Sequence, residues 1–253
     1  IDVGVLDNGN PFMVMELLQG NNLEDELLRR GMLPVDEAVG YLLEAIEALA
    51  EAHAAGIVHR DLKPDNIILA EGPDGERLVL LDFGISKVFE GKPYRALTQA
   101  GQVMGTPYYM APEQIRSEEL DGRADQYALG VILYELATGM RPFRAEQSVF
   151  VLMAEILLGQ PQPPSQIEPS LPPSFESLIL RAMAARRDDR FQSVEVLGRV
   201  LLPFASAEVR RRWARSFYLE PDAIEPYVAS LPRPPGRPSY LPPRPPSGAF
   251  DTS

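Results

Sequence analysis

The sequence contains no cysteine, so disulfide scaffolds, zinc–thiolate sites and thiol nucleophiles are excluded. Histidine is nearly absent: His53 and His59 are the only two in 253 residues, too few for a multi-histidine metal centre. Positive charge is short. Lys and Arg number 24 against 36 Asp and Glu, for a formal net charge of -12, and a general nucleic-acid binder needs the opposite balance. Long apolar runs are missing too. The longest candidate, Tyr127 to Met140, spans 14 residues and carries Glu135, whereas a membrane helix needs about 18 or more. There is no secretory signal, and the first residue is Ile1, so the expectation is a segment of a longer protein.

What is present suits a globular chain. Hydrophobic residues make up 45% and charged residues 24%, enough to bury a core. Proline is the excess, at 25 residues, about twice ordinary usage. The first eighteen residues read as strand, with a hairpin turn at Asp7-Asn8-Gly9. Pro11 to Leu18 runs apolar, as a buried strand would. From Pro34 the period changes: Val35, Ala38, Val39, Leu42, Ile46 and Leu49 share one helical face, which continues to His53 and stops at Gly56. His53 therefore reads as a core histidine. Short strands follow near Ile67 to Leu69 and Leu78 to Leu81, around a Pro73-Asp74-Gly75 turn. Residues 84 to 110 are polar and irregular. Helical patterns then fall at about 123–138, 146–158, 174–185 and 193–203. From Pro232 to Ser247 eight of sixteen residues are proline. That marks a polyproline-II-rich tail, largely disordered from about residue 221.

One segment carries chemistry: His59-Arg60-Asp61-Leu62-Lys63-Pro64-Asp65-Asn66, followed by Asp82-Phe83-Gly84 and Ala111-Pro112-Glu113. An isolated Asp-Phe-Gly or Ala-Pro-Glu means little. The eight-residue run is specific, because no packing need selects these polar residues together. In this order and spacing the three motifs resemble the catalytic loop, magnesium loop and segment end of protein kinases. Phosphoryl transfer needs cations against the phosphate oxygens and one carboxylate to orient the attacking hydroxyl. The resemblance implies Asp61 as that base, Lys63 near the γ-phosphate, and Asn66 and Asp82 as Mg2+ ligands. Lys63 and Gly105-Thr106-Pro107-Tyr108 look like the Ser/Thr pattern. Thr106 would hydrogen-bond Asp61 and Lys63.

The resemblance extends along the chain. Met13-Val14-Met15-Glu16-Leu17-Leu18 looks like the last small-lobe strand entering the hinge, with Met15 as gatekeeper and the backbone of Glu16 and Leu18 at the adenine of ATP. Asn22 sits at a ribose-contact position, and Leu23 and Ile68 near the adenine; a structural role is open for all three. Asp125 resembles the helix aspartate that braces the catalytic loop, and Arg190 the partner of Glu113. His59 would stack near Phe83. Arg60, a cation beside the base, implies an activating phosphate, with Thr98 as first candidate and Ser86 and Thr106 behind it.

The implied fold is α+β and protein-kinase-like: the end of the small lobe and hinge at 1–20, a mainly helical large lobe at 21–205, and a tail at 206–253. A glycine-rich loop, a strand lysine and its helix glutamate have no counterpart in the sequence. This chain alone is therefore expected to be impaired, and the full-length protein active. Alternatives are a kinase-like scaffold and a protein whose working part is the tail. A scaffold has no need of Asp61, Lys63, Asn66 and Asp82 together. Pro232, Pro235 and Pro238, with Arg233 and Arg237, have P-x-x-P spacing for a groove-binding partner; a linker is the default. Asp82-Phe83-Gly84-Ile85-Ser86-Lys87 looks most like bacterial eukaryotic-type Ser/Thr kinases. The implied partners are protein substrates, with no nucleic acid. The implied location is cytoplasmic, with membrane anchoring by a segment outside this chain as the alternative.

Overall fold

The computed structural model describes residues 2–72, 75–83, 107–144 and 148–216. Ser86, Thr98, Thr106 and the proline-rich tail lie outside the described residues.

Strands β1 (Asp2–Val5) and β2 (Pro11–Val14) pair antiparallel, with Val3 opposite Met13. The expected turn joins them: Gly9 takes φ 85°, and its N–H donates to Leu6 O at 2.8 Å. The expected burial of Pro11 to Leu18 is not found. The strand stops at Val14, and Phe12, Met13, Val14, Met15 and Leu17 are exposed, Leu17 at 91%. A two-stranded ribbon offers no second layer to cover alternate side chains.

A second sheet has the order β3 (Gly20–Asn22), β4 (Ile67–Gly72), β5 (Gly75–Leu80), all antiparallel. Only glycine lets β3 close on β4, since Gly20 has φ +135° and a Cβ there would lie 2.0 Å from Leu69 O.

Helix α1 (Leu23–Arg30) starts where the Asn22 side chain accepts the Asp25 N–H at 2.8 Å. Acidic residues 24–26 fill its first turn and Arg29 and Arg30 its last, matching the helix dipole. Helix α2 (Val35–Ala54) is the expected long helix and buries Ala38, Val39, Leu42, Ile46 and Leu49. The short α3 (Pro112–Ile115) precedes α4 (Arg123–Thr138), where residues 124–138 are all buried. Next come α5 (Val149–Leu158), α6 (Pro173–Ala182) and α7 (Val194–Leu201). The core forms where α4 packs against α2, α6 and α7. An unexpected helix, α8 (Ala207–Trp213), is capped by Ser206, and Trp213 and Ala214 are buried. Packing thus continues beyond the boundary expected at residue 205. No helix among the described residues is long and apolar enough to cross a membrane.

Candidate active site

Residues 59–66 lie between α2 and β4, and a buried carboxylate shapes them. Asp125, in the first turn of α4, is 1% exposed. Its Oδ2 accepts the His59 N–H at 2.8 Å, and its Oδ1 accepts the Arg60 N–H at 2.9 Å. His53 Nε2 reaches the same Oδ2 at 2.8 Å. Burying a carboxylate is costly without donors, and here three converge on it. With both amides held, Arg60 takes φ 69°, the left-handed region.

Asp61 follows this bend. Its N–H donates to His59 Nδ1 at 3.3 Å, and His59 Nε2 then donates to Leu81 O at 2.8 Å. The His59 ring, wholly buried, lies 4.7 Å from the Phe83 ring. Asn66 Nδ2 donates to Asp61 O at 2.8 Å and lies 3.5 Å from Asp61 Oδ2. Asn66 O accepts the Leu81 N–H at 2.8 Å. Leu81 therefore ties Asp82, its neighbour, to both ends of the loop. Asp82 is exposed, with φ 53°. Left-handed φ at two non-glycine residues of one site is the kind of strain that collects at functional positions. Lys63 Nζ lies 4.0 Å from Asp65 Oδ2, both well exposed.

The donor set fits a hard divalent cation. The amide nitrogen of Asn66 is spent on Asp61, which leaves its Oδ1 for other use, and Asp82 adds a carboxylate. Mg2+ accepts one or two such oxygens and fills its shell with water and phosphate. Among the described residues no group of three His, Cys, Asp or Glu side chains is placed to hold a metal.

The segment after Pro107 is bound to this loop. Gln114 Nε2 donates to Arg60 O at 2.8 Å while its Oε1 accepts the Ala111 N–H at 2.9 Å. Next to it, Arg190 donates to both Glu113 oxygens at 2.6 and 2.8 Å and to Ala184 O and Arg123 O at 2.8 Å each. This pair is inside the protein, with side-chain exposures of 0% and 3%. Arg60 differs: its Nε is buried and has no hydrogen-bond partner among the described residues.

The remaining candidates are spread along the edge of the sheet. Met15 is exposed, Leu18 half-buried, and Glu16 lies 3.6 Å from Arg77. Asn22 spends its side-chain oxygen on the α1 cap. Ile68 pairs with Asn22 across β3–β4 and is half-buried, whereas Leu23 is wholly buried in the core. Sequence reasoning missed three features. His53 is half-buried and bonded to Asp125 instead of being a plain core residue. Gln114 was not singled out. Nor was a cluster in which the Tyr109 hydroxyl donates to Glu135 at 2.5 Å and Arg141 bridges Glu135 and Glu24. Burial, and then Glu135, pushes the Tyr109 hydroxyl well above its ordinary range. No sequence signal pointed to that cluster, since its members come from four segments.

A braced Asp-to-Asn loop, joined to an Asp-Phe pair and backed by a buried Glu–Arg bridge, is the layout of a protein kinase large lobe. Residues 4–201 match the protein kinase domain family, and the chain belongs to it. It is similar to serine/threonine-protein kinase pkn3 of Myxococcus xanthus, with 41% identity over 199 residues, 77% of this chain and 36% of that protein. It is also similar to serine/threonine-protein kinase PknL of Mycobacterium tuberculosis, with 36% identity over 200 residues, 78% of this chain and 48% of that protein. The chain thus spans less than half the length of either relative. Among solved structures, a double mutant of the PknI kinase domain of Mycobacterium tuberculosis matches with a TM-score of 0.61 and 28% identity. The match covers 81% of this chain and 69% of that one.

Proposed function

We propose that this chain is the catalytic lobe of a bacterial-type serine/threonine protein kinase, which moves the γ-phosphate of ATP to a Ser or Thr hydroxyl of a protein. The observation that carries this reading is the anchoring of the loop: Asn66 Nδ2 donates to the Asp61 carbonyl, and Asp125 accepts the N–H groups of His59 and Arg60 just before Asp61. The family membership and the names of the relatives support it.

In this reading Asp61 orients the substrate hydroxyl and takes its proton as the oxygen bonds to the γ-phosphorus and the bond to the β-phosphate oxygen breaks. Lys63 neutralises charge on the transferred group. Asn66 and Asp82 would hold Mg2+, which would supply charge stabilisation to the phosphates. Thr106, outside the described residues, would line the substrate side by its place in the family motif. Backbone at Glu16 and Leu18 meets the adenine, with Met15 behind it and Ile68 beneath. Leu23 is buried in the core and away from the nucleotide, and Asn22 combines its cap with a position at the ribose edge. Phosphate on Thr98 would give Arg60 the partner that its buried Nε lacks among the described residues. The fold unit runs from the hinge at 1–20 through the lobe, and the proline-rich segment is a cytoplasmic linker. Its P-x-x-P spacing supports an aromatic-groove partner as a second role.

The test is phosphate transfer by the full-length kinase. With Mg-ATP it is expected to label Ser and Thr of protein substrates, and Asp61→Asn is expected to lower labelling by at least about 100-fold. Undiminished labelling by that variant removes Asp61 from the role of base.

A further inference from the structure

Arg141 lies three residues beyond the end of α4, and two carboxylates share its guanidinium. Nε donates to Glu135 Oε1 at 3.0 Å, and Nη2 donates to Glu24 Oε1 at 3.1 Å. The group also stacks over Tyr108, 4.4 Å from the ring centroid. One cation thus joins α1, α4 and the segment leading into α3.

The cluster borders the catalytic loop, because α1, which carries Glu24, packs against residues 64–66. Burial pushes the Glu24 carboxyl up, Arg141 opposes this, and the charges of Glu135 and of Asp65, four residues past Asp61, add to the rise. The site is open to solvent: a cavity of about 310 Å3 is lined by Tyr108, Glu135, Met140, Arg141, Phe143 and a second cation, Arg144, which makes no ion pair with Glu135 or Glu24. Side-chain exposures are 30% for Arg141, 23% for Glu24 and 10% for Glu135. Without Arg141, the partly covered Glu24 and the free oxygen of the buried Glu135, whose other oxygen takes the Tyr109 hydroxyl, would form a receptor for a guanidinium beside an aromatic ring. The chain fills that receptor itself.

We propose that Arg141 is a specificity-determining residue. It occupies from within an anionic subsite beside the catalytic loop, and so turns the enzyme away from substrates that would place Arg or Lys there. The inference rests on the kinase reading above.

The test uses the full-length kinase and a positional peptide library with a fixed Ser acceptor, comparing Arg with Ala at each flanking position. The wild type is expected to show no preference for Arg at the position facing this cluster. Arg141→Gln is expected to gain about tenfold in kcat/KM for Arg there, through KM more than kcat, a change worth about 1.4 kcal/mol. Adding Glu24→Gln is expected to remove the gain, and Arg141→Lys, which keeps the charge, to retain the wild-type profile. A purely structural role for Arg141 lowers activity on all peptides alike. That result, or an Arg preference already present in the wild type, overturns the proposal. If Arg141→Gln does not fold, the wild-type and Arg141→Lys profiles decide: neutrality or discrimination against Arg in both supports it, and an Arg preference in either overturns it. An inactive wild type removes the kinase reading itself. An active wild type with an unchanged Arg141→Gln profile removes only the role of Arg141.

Discussion

Asp125→Asn is the sharpest perturbation of the loop, because it changes one atom in a fully occupied site. The carboxylate accepts from His59 N–H, Arg60 N–H and His53, at 2.8, 2.9 and 2.8 Å. An asparagine keeps one oxygen and replaces the other with an NH2 donor. If the oxygen stays between His59 and His53, the NH2 meets the Arg60 N–H, and donor faces donor. The loss of a charge-assisted hydrogen bond, about 1.5–3 kcal/mol, adds to a stranded amide at about 1–3 kcal/mol. The expected cost is about 3–5 kcal/mol, read as a shift in the urea unfolding midpoint at unchanged slope. Function should suffer as well, since Arg60 would no longer be held at φ 69° and Asp61 follows it directly. The phosphorylation rate at saturating ATP should fall at least tenfold under conditions where the variant is still folded. A stability loss below about 1 kcal/mol with full activity would show that Asp125 does not brace the loop.

Three further outcomes are expected. Glu113→Ala strands the buried Arg190 guanidinium and should cost about 3–5 kcal/mol, while Glu113→Leu with Arg190→Met should recover much of it in a double-mutant cycle; additive losses would contradict a coupled pair. A Cβ on Gly122 would lie 2.5 Å from His53 Nδ1, although the backbone there (φ -57°) accepts any residue. Gly122→Ala should therefore destabilise the wild type but be neutral or better in a His53→Ala background, as measured by unfolding; equal effects in both backgrounds would exclude the contact. Arg30 holds the Glu37 carboxyl below the ordinary value of 4.5, with an Nη2 to Oε2 bond of 2.7 Å. The bond therefore contributes stability above that value and loses it as pH falls through the lower folded value. Glu37→Gln should flatten the acid limb of stability below about pH 4.5, and an unchanged limb would show that the pair contributes nothing.

How much was legible depended on how local each feature is. Helix α2 could be placed because Val35, Ala38, Val39, Leu42, Ile46 and Leu49 repeat along one face between Pro34 and Gly56. Helix α4 was legible as a run of apolar residues, although it is buried nearly all round and shows little contrast between faces. Exposure of Met13 to Leu17 was not legible, because a strand's own sequence does not say whether another layer covers it. Helix α8 escaped notice because Arg210, Arg211 and Arg212 mask the one buried anchor, Trp213. The same division holds for the site. Asp61 and Asn66 lie five residues apart and are joined within one loop. His53 meets Asp125 across 72 residues and Arg141 meets Glu24 across 117, contacts that exist only once the helices have packed.

In the proposed mechanism Asp61 acts on the substrate hydroxyl and not on nucleotide binding. The most direct measurement compares single-turnover phosphoryl transfer and Mg-ATP affinity for the full-length kinase and its Asp61→Asn variant. The variant's transfer rate should be lower by about 100-fold to 10,000-fold, with the nucleotide dissociation constant nearly unchanged. An unchanged rate, or a loss explained wholly by weaker nucleotide binding, would contradict it.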